Sequence, residues 1–88
     1  MTDYEIPDTV GCVFEITDKS GVLWKADCMA DCEENAGGLY IELYRWDDEY
    51  GLDGDYYDTM CIHPGDTDLN NEKDVEEYIS DYINLWYV

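Results

Sequence analysis

Basic residues are scarce in this chain: 4 Lys and Arg stand against 23 Asp and Glu, for a formal charge of -19 at pH 7. Such a surface repels phosphate, which excludes direct nucleic-acid binding and docking on an anionic membrane. Long apolar runs are missing too. None approaches the roughly 18 residues that a membrane span needs. Met1-Thr2-Asp3-Tyr4-Glu5 lacks the basic start of a secretion signal, so the expected address is the cytosol. Catalytic furniture is equally thin. There is one His, no Ser or Cys in a nucleophile-elbow context, and no glycine loop to cradle a phosphate. Close carboxylate pairs arise by chance among so many acids, and an acid–base pair also needs a cleft that separates two pKa values. The expectation is a protein that is not an enzyme and carries no cofactor.

What is present points to a folded domain. High net charge favours disorder, but 45% hydrophobic and 15% aromatic residues outweigh it, with nine Tyr and three Trp available for a core. Eighty-eight residues suffice for one domain and not for two. Val10, Cys12, Phe14 and Ile16 alternate with polar neighbours, as in a strand with one buried face. Asp18-Lys19-Ser20-Gly21 forms a turn, and the return strand puts Val22, Trp24, Ala26 and Cys28 on one face. Met29 to Gly38 reads as a loop with one helical turn around Asp31–Glu34. A third strand follows over Leu39–Trp46, with Leu39, Ile41 and Leu43 inward and Tyr40, Glu42 and Tyr44 outward. Asp47 to Asp55 holds five acids and two Gly, a solvated loop. A fourth strand spans Tyr56–His63 and stops at Pro64-Gly65.

Val75, Tyr78, Ile79, Tyr82, Ile83 and Trp86 then follow helical spacing, capped by Asn70 or Asn71, with Glu76, Glu77, Ser80, Asp81 and Asn84 outward. The fold class is α+β: an antiparallel sheet of about four strands, with this amphipathic C-terminal helix packed on one face.

Two metal patterns come into view. Cys28 and Cys32 are spaced C-x3-C and Cys61-Ile62-His63 follows, a loose zinc set; reduced, buried thiols at Cys12, Cys28, Cys32 and Cys61 are the preferred reading. Asp66, Asp68, Asn70, Asp74 and Glu77 reproduce the spacing of a calcium loop, with Asn71 at the glycine position. Lys73 at the usual apolar eighth position and Pro64-Gly65 in place of an incoming helix depart from it, and the ordinary reading is an acidic helix start.

The acids are concentrated. Residues 47–81 hold 13 of the 23, with Lys73 the one Lys or Arg among them and Tyr50, Tyr56 and Tyr57 interleaved. Carboxylates on one strand face recur at about 6.6 Å, and i, i+4 helix neighbours lie about 6 Å apart, intervals like those of phosphates along a strand. Solubility asks for a net charge of magnitude about 2 to 8, and this chain carries more than twice that. The expected partner surface comprises Asp47, Asp48, Glu49, Tyr50, Asp53, Asp55, Tyr56 and Asp58, with Glu76, Glu77 and Asp81 as a second row on the helix. Its complement is a Lys/Arg channel, and tyrosines add stacking on Arg.

This profile resembles the small acidic inhibitors encoded by phages and mobile elements, above all the anti-CRISPR proteins that mimic nucleic acid. The resemblance rests on size, charge and acid-plus-Tyr clustering across the whole chain. It implies an inhibitor, a monomer or homodimer, working in the host cytosol. The implied target is the PAM-reading or DNA-binding cleft of a CRISPR effector, a basic nucleic-acid-binding protein. Related mimics block restriction enzymes or uracil-DNA glycosylase. An immunity protein that plugs a nuclease toxin and a small calcium-binding module stand as alternatives.

A charge of -19 makes the folded state repel itself, and screening relieves that. The melting temperature is therefore expected to climb with any monovalent salt between about 0.01 and 0.1 M, where the Debye length falls from about 30 to about 10 Å. A climb seen with calcium alone would point to the Asp66–Glu77 segment instead.

Overall fold

The computed structural model describes residues 6–31 and 37–88. Its elements are β1 (Val13–Thr17), β2 (Leu23–Ala30), β3 (Leu39–Arg45), β4 (Asp58–Ile62) and the helix α1 (Glu72–Trp86). The strands lie in sequence order, β1-β2-β3-β4, and every pairing is antiparallel. This is the α+β arrangement that the alternation implies.

The pairing register explains the core. Phe14 faces Ala26, which faces Leu43; Cys28 faces Ile41, which faces Met60; Leu39 faces Ile62. All of these side chains are buried on one side of the sheet, against Val75, Ile79 and Ile83 of the helix. The other side carries Lys25, Asp27, Tyr40, Glu42 and Tyr44, each half-buried. There Asp27 stands directly opposite Glu42, a like-charged cross-strand pair.

Element ends differ from the sequence reading by a few residues, for local reasons. β1 begins at Val13 rather than Val10, because residues 8–11 form a turn closed by Gly11 at φ 89°. Met29 and Ala30 extend β2 instead of opening the loop, since they pair with Tyr40 and Leu39. β3 stops at Arg45 and β4 starts at Asp58, which leaves Trp46, Tyr56 and Tyr57 in the connection. The helical turn expected around Asp31–Glu34 falls mostly outside the described residues, as does Cys32.

The thiols do not behave as a buried set. Cys28 is buried and its thiol is pushed up to about 12, chiefly by loss of solvent. Cys12 is half-buried and Cys61 is exposed; all three are free. Cys28 faces the core and Cys61 the opposite side, so the sheet separates two members of the zinc set.

The helix start follows expectation. Asn71 caps it, its Oδ1 accepting the Asp74 N–H at 3.1 Å, and Glu72 and Asp74 occupy the first turn. Asn70 does not cap the helix; its Oδ1 accepts the Asp8 N–H at 2.9 Å. Beside it the buried Thr9 hydroxyl donates to the Leu69 carbonyl at 2.6 Å. These two bonds tie the N-terminal segment to the helix approach. The helix end corrects the periodicity. Trp86 is 66% exposed, and the ring of Tyr87 takes the inward place, 5.2 Å from Trp24.

Asp18 is the polar group that the core is built around. Only 4% exposed, it accepts from the Ser20 N–H and hydroxyl, the Val22 N–H and the Trp24 indole N–H, the last at 2.8 Å. Burial works to raise its pKa, but these donors outweigh burial and bring it down to about 2. A carboxyl lowered from its ordinary 3.8 gives stability that is present above pH 4 and lost as pH falls toward 2. Asp18→Ala also strands the buried indole N–H, so it is expected to cost about 3 kcal/mol in urea unfolding and to flatten the acid limb between pH 4 and 2. Wild-type stability unchanged over that window would contradict the role assigned to Asp18.

Candidate functional site

The sheet has two ends, and the acids divide between them. At one end lie the β1–β2 turn, the β3–β4 connection and the last turn of α1. At the other lie residues 8–12 and the start of α1.

The β3–β4 connection is more ordered than its composition suggests. Asp47 and Gly51 exchange backbone hydrogen bonds of 2.9 and 2.7 Å, closing a miniature hairpin. Asp47 Oδ1 accepts the N–H groups of Glu49 and Tyr50 inside it, at 2.7 and 3.1 Å. Gly51 sits at φ 62°, where a Cβ would come within 3.4 Å of the Trp46 ring. The indole thus packs against the hairpin while staying 52% exposed. Together with Tyr50, Asp53, Asp55 and Tyr57, the hairpin encloses an open cleft of about 600 Å³ against the end of β3.

Aromatic surface collects at this end. Trp46, Tyr50, Tyr56 and Tyr57 project from the connection, and Leu85 and Trp86 from the helix, all largely exposed. Exposed rings rimmed by charge are the usual composition of a protein-binding surface. Trp46, Leu85 and Trp86 are additions to the sequence reading, which placed Trp46 in a strand and Trp86 in the core. The signal available for Trp46 was its place between a strand and five acids; for Trp86 the periodicity points the wrong way.

Of the expected partner residues, Asp47, Asp48, Glu49, Tyr50, Asp53, Asp55 and Tyr56 all lie exposed on the connection. Glu76, Glu77 and Asp81 are exposed on α1, where Glu77 and Asp81 line a separate hollow with Asp74 and Tyr78. That hollow lies along α1 and shares no lining residue with the cleft of the connection.

Cations do little to neutralise either patch. His63 stands 3.6 Å from Asp66, a contact that becomes an ion pair only when the imidazole is protonated. Lys25 Nζ lies 4.3 Å from the centre of the Tyr44 ring, and Arg45 Cζ lies 5.8 and 5.5 Å from the rings of Trp24 and Tyr57.

The calcium-like spacing is engaged in turns. Asp66 Oδ2 accepts the His63 N–H, Asp68 Oδ1 accepts the Asn70 N–H, and Asn70 and Asn71 bond the Asp8 and Asp74 N–H groups. Among the described residues no three His, Cys, Asp or Glu side chains converge to hold a metal ion.

Asp58 differs from the other acids. It is half-buried and accepts the hydroxyls of Tyr82, at 2.9 Å, and Tyr87. Burial opposes its ionisation, yet the tyrosine and Thr59 N–H bonds prevail and lower its pKa. In return the bond to Asp58, with burial second, raises Tyr87. This carboxylate fastens the helix end to β4. Asp58→Asn is expected to cost about 1 to 2 kcal/mol in thermal unfolding and to bring the Tyr87 absorbance titration down toward the ordinary tyrosine range. Asp53→Asn, by contrast, should leave stability within about 0.5 kcal/mol.

No protein-family model, no curated protein and no solved structure matches the chain.

Proposed function

We propose that this protein is a non-enzymatic inhibitor that mimics nucleic acid and occupies the DNA-binding cleft of a basic nucleic-acid-binding protein, a CRISPR effector in the first instance. The observation that supports this reading is the pairing of two carboxylate patches, almost free of internal ion pairs, with exposed rings on an ordered frame. A merely soluble protein has no use for a charge of -19, which works against its own folding. A channel lined with Lys and Arg offsets that cost. Long-range attraction steers the encounter, and desolvated pairs in the contact slow dissociation. Ordering matters as much as charge. The hairpin around Asp47 and the capped helix fix the backbone that carries these carboxylates before binding, so little loop entropy is lost on contact.

Displacement from a guide-loaded effector tests the reading. Increasing amounts of the protein are expected to release labelled target DNA, with affinity falling as salt rises. Asp47→Asn, Asp48→Asn and Glu49→Gln combined remove three charges at constant size and should slow association severalfold at low salt. The reading fails if inhibitor and DNA bind together with undiminished affinity. It fails equally if neutralising both the connection and the Glu76, Glu77, Asp81 row changes nothing.

A further inference from the structure

The cleft at the end of β3 brings two kinds of group to one place. Trp46, Tyr50 and Tyr57 give it ring faces, and Asp53 and Asp55 give it carboxylates. Both acids are exposed, and among the described residues neither side chain takes part in a hydrogen bond or ion pair. Asp47, the third carboxylate of the cleft, is held by the hairpin N–H groups. Ring faces carry negative potential, so aromatic walls with unpaired carboxylates select a cation over a neutral or anionic group. The opening, about 600 Å³, has room for a whole side chain.

Arg45 shows how this surface treats a guanidinium. It is exposed and lines the same cleft, its Cζ 5.8 and 5.5 Å from the rings of Trp24 and Tyr57, and makes no ion pair among the described residues. The chain's own cation is thus stacked on rings, and the outer carboxylates are left for another. We propose that this cleft receives one arginine side chain of the protein partner, its guanidinium plane on the exposed rings of Trp46 and Tyr50 and its N–H groups toward Asp53 and Asp55. Arginine fits better than lysine because a flat fork of five donors can stack and pair at once, whereas an ammonium is a compact, strongly hydrated charge. The source of the arginine rests on the inhibitor reading; the chemistry of the cleft does not.

The intact protein, titrated with N-acetyl-arginine amide and followed by the indole N–H resonance of Trp46, tests the proposal. N-acetyl-citrulline amide has nearly the same shape without the charge. The arginine probe is expected to shift Trp46 and Tyr50 saturably, and the citrulline probe to bind at least tenfold more weakly. Asp53→Asn with Asp55→Asn should weaken the arginine probe at least fivefold, while Glu76→Gln with Glu77→Gln should change it less than twofold. Equal binding of the two probes, an unmoved Trp46, or an equal loss in the helix variant would each overturn the proposal. The comparison of probes on the wild-type chain stands even if the cleft variant misfolds. DNA displacement separates the two readings: if DNA is displaced from the effector normally but the arginine probe does not bind, the cleft proposal falls and the inhibitor reading survives. Saturable probe binding without displacement supports the cleft and removes the inhibitor reading.

Discussion

The bond from the Trp24 indole to the Asp18 carboxylate underlies the placement of the acidic connection and of the helix end alike. Trp24 is fully buried, and three separate parts of the chain meet on its ring. Tyr57 comes from the acidic connection, Tyr87 from beyond the helix, and Arg45 from the end of β3. An indole can sit there only if its N–H has a partner, because an unsatisfied buried donor costs more than its ring contacts return. Asp18 supplies that partner and uses its other oxygen to close the turn through Ser20 and Val22. The placement of the candidate surface therefore depends on a carboxylate that is itself shut away from solvent.

Acids in this chain do two kinds of work, and burial separates them. Asp18 and Asp58 are wrapped by donors and hold elements together. The carboxylates of the connection and of the outer helix face have few or no internal partners and leave their field to the solvent. The few cations accentuate the division. Lys25 and Arg45 lie on rings instead of pairing with carboxylates, which keeps them from cancelling the charge nearby. On the helix-free side of the sheet, Asp27 faces Glu42 across β2 and β3. Lys25 stands in the next pair on that face, opposite Tyr44, so the repulsion is softened without being removed.

Strand periodicity made most of the fold legible, because each strand buries one face only: Trp24, Ala26 and Cys28 on β2, and Leu39, Ile41 and Leu43 on β3, are inward as the alternation implies. The helix core at Val75, Ile79 and Ile83 was equally readable. Trp86 was not, because periodicity says which way a residue points and not where the sheet beneath it ends. The acidic connection was recognisable as a loop, but its hairpin was hidden, since an Asp that caps its own turn looks in sequence like any solvated Asp. Asp18 and Asp58 were unreadable as structural groups for the same reason: their partners, Trp24, Tyr82 and Tyr87, are known only once the fold brings them near.

The meander sets an order of assembly. Every strand pairs with its sequence neighbour, so the sheet can close by successive hairpins without joining distant parts of the chain, a topology that favours rapid folding. Links across about sixty residues also occur, among them those from Asp8 and Thr9 to Asn70 and Leu69, from the Lys19 N–H to Asn84, and from Trp24 to Tyr87. On a ribosome the sheet would be complete in outline before these latches could form. Its apolar face would then wait for the helix, which follows all four strands in the chain, and the charge that burdens the finished domain would keep neighbouring nascent chains apart meanwhile.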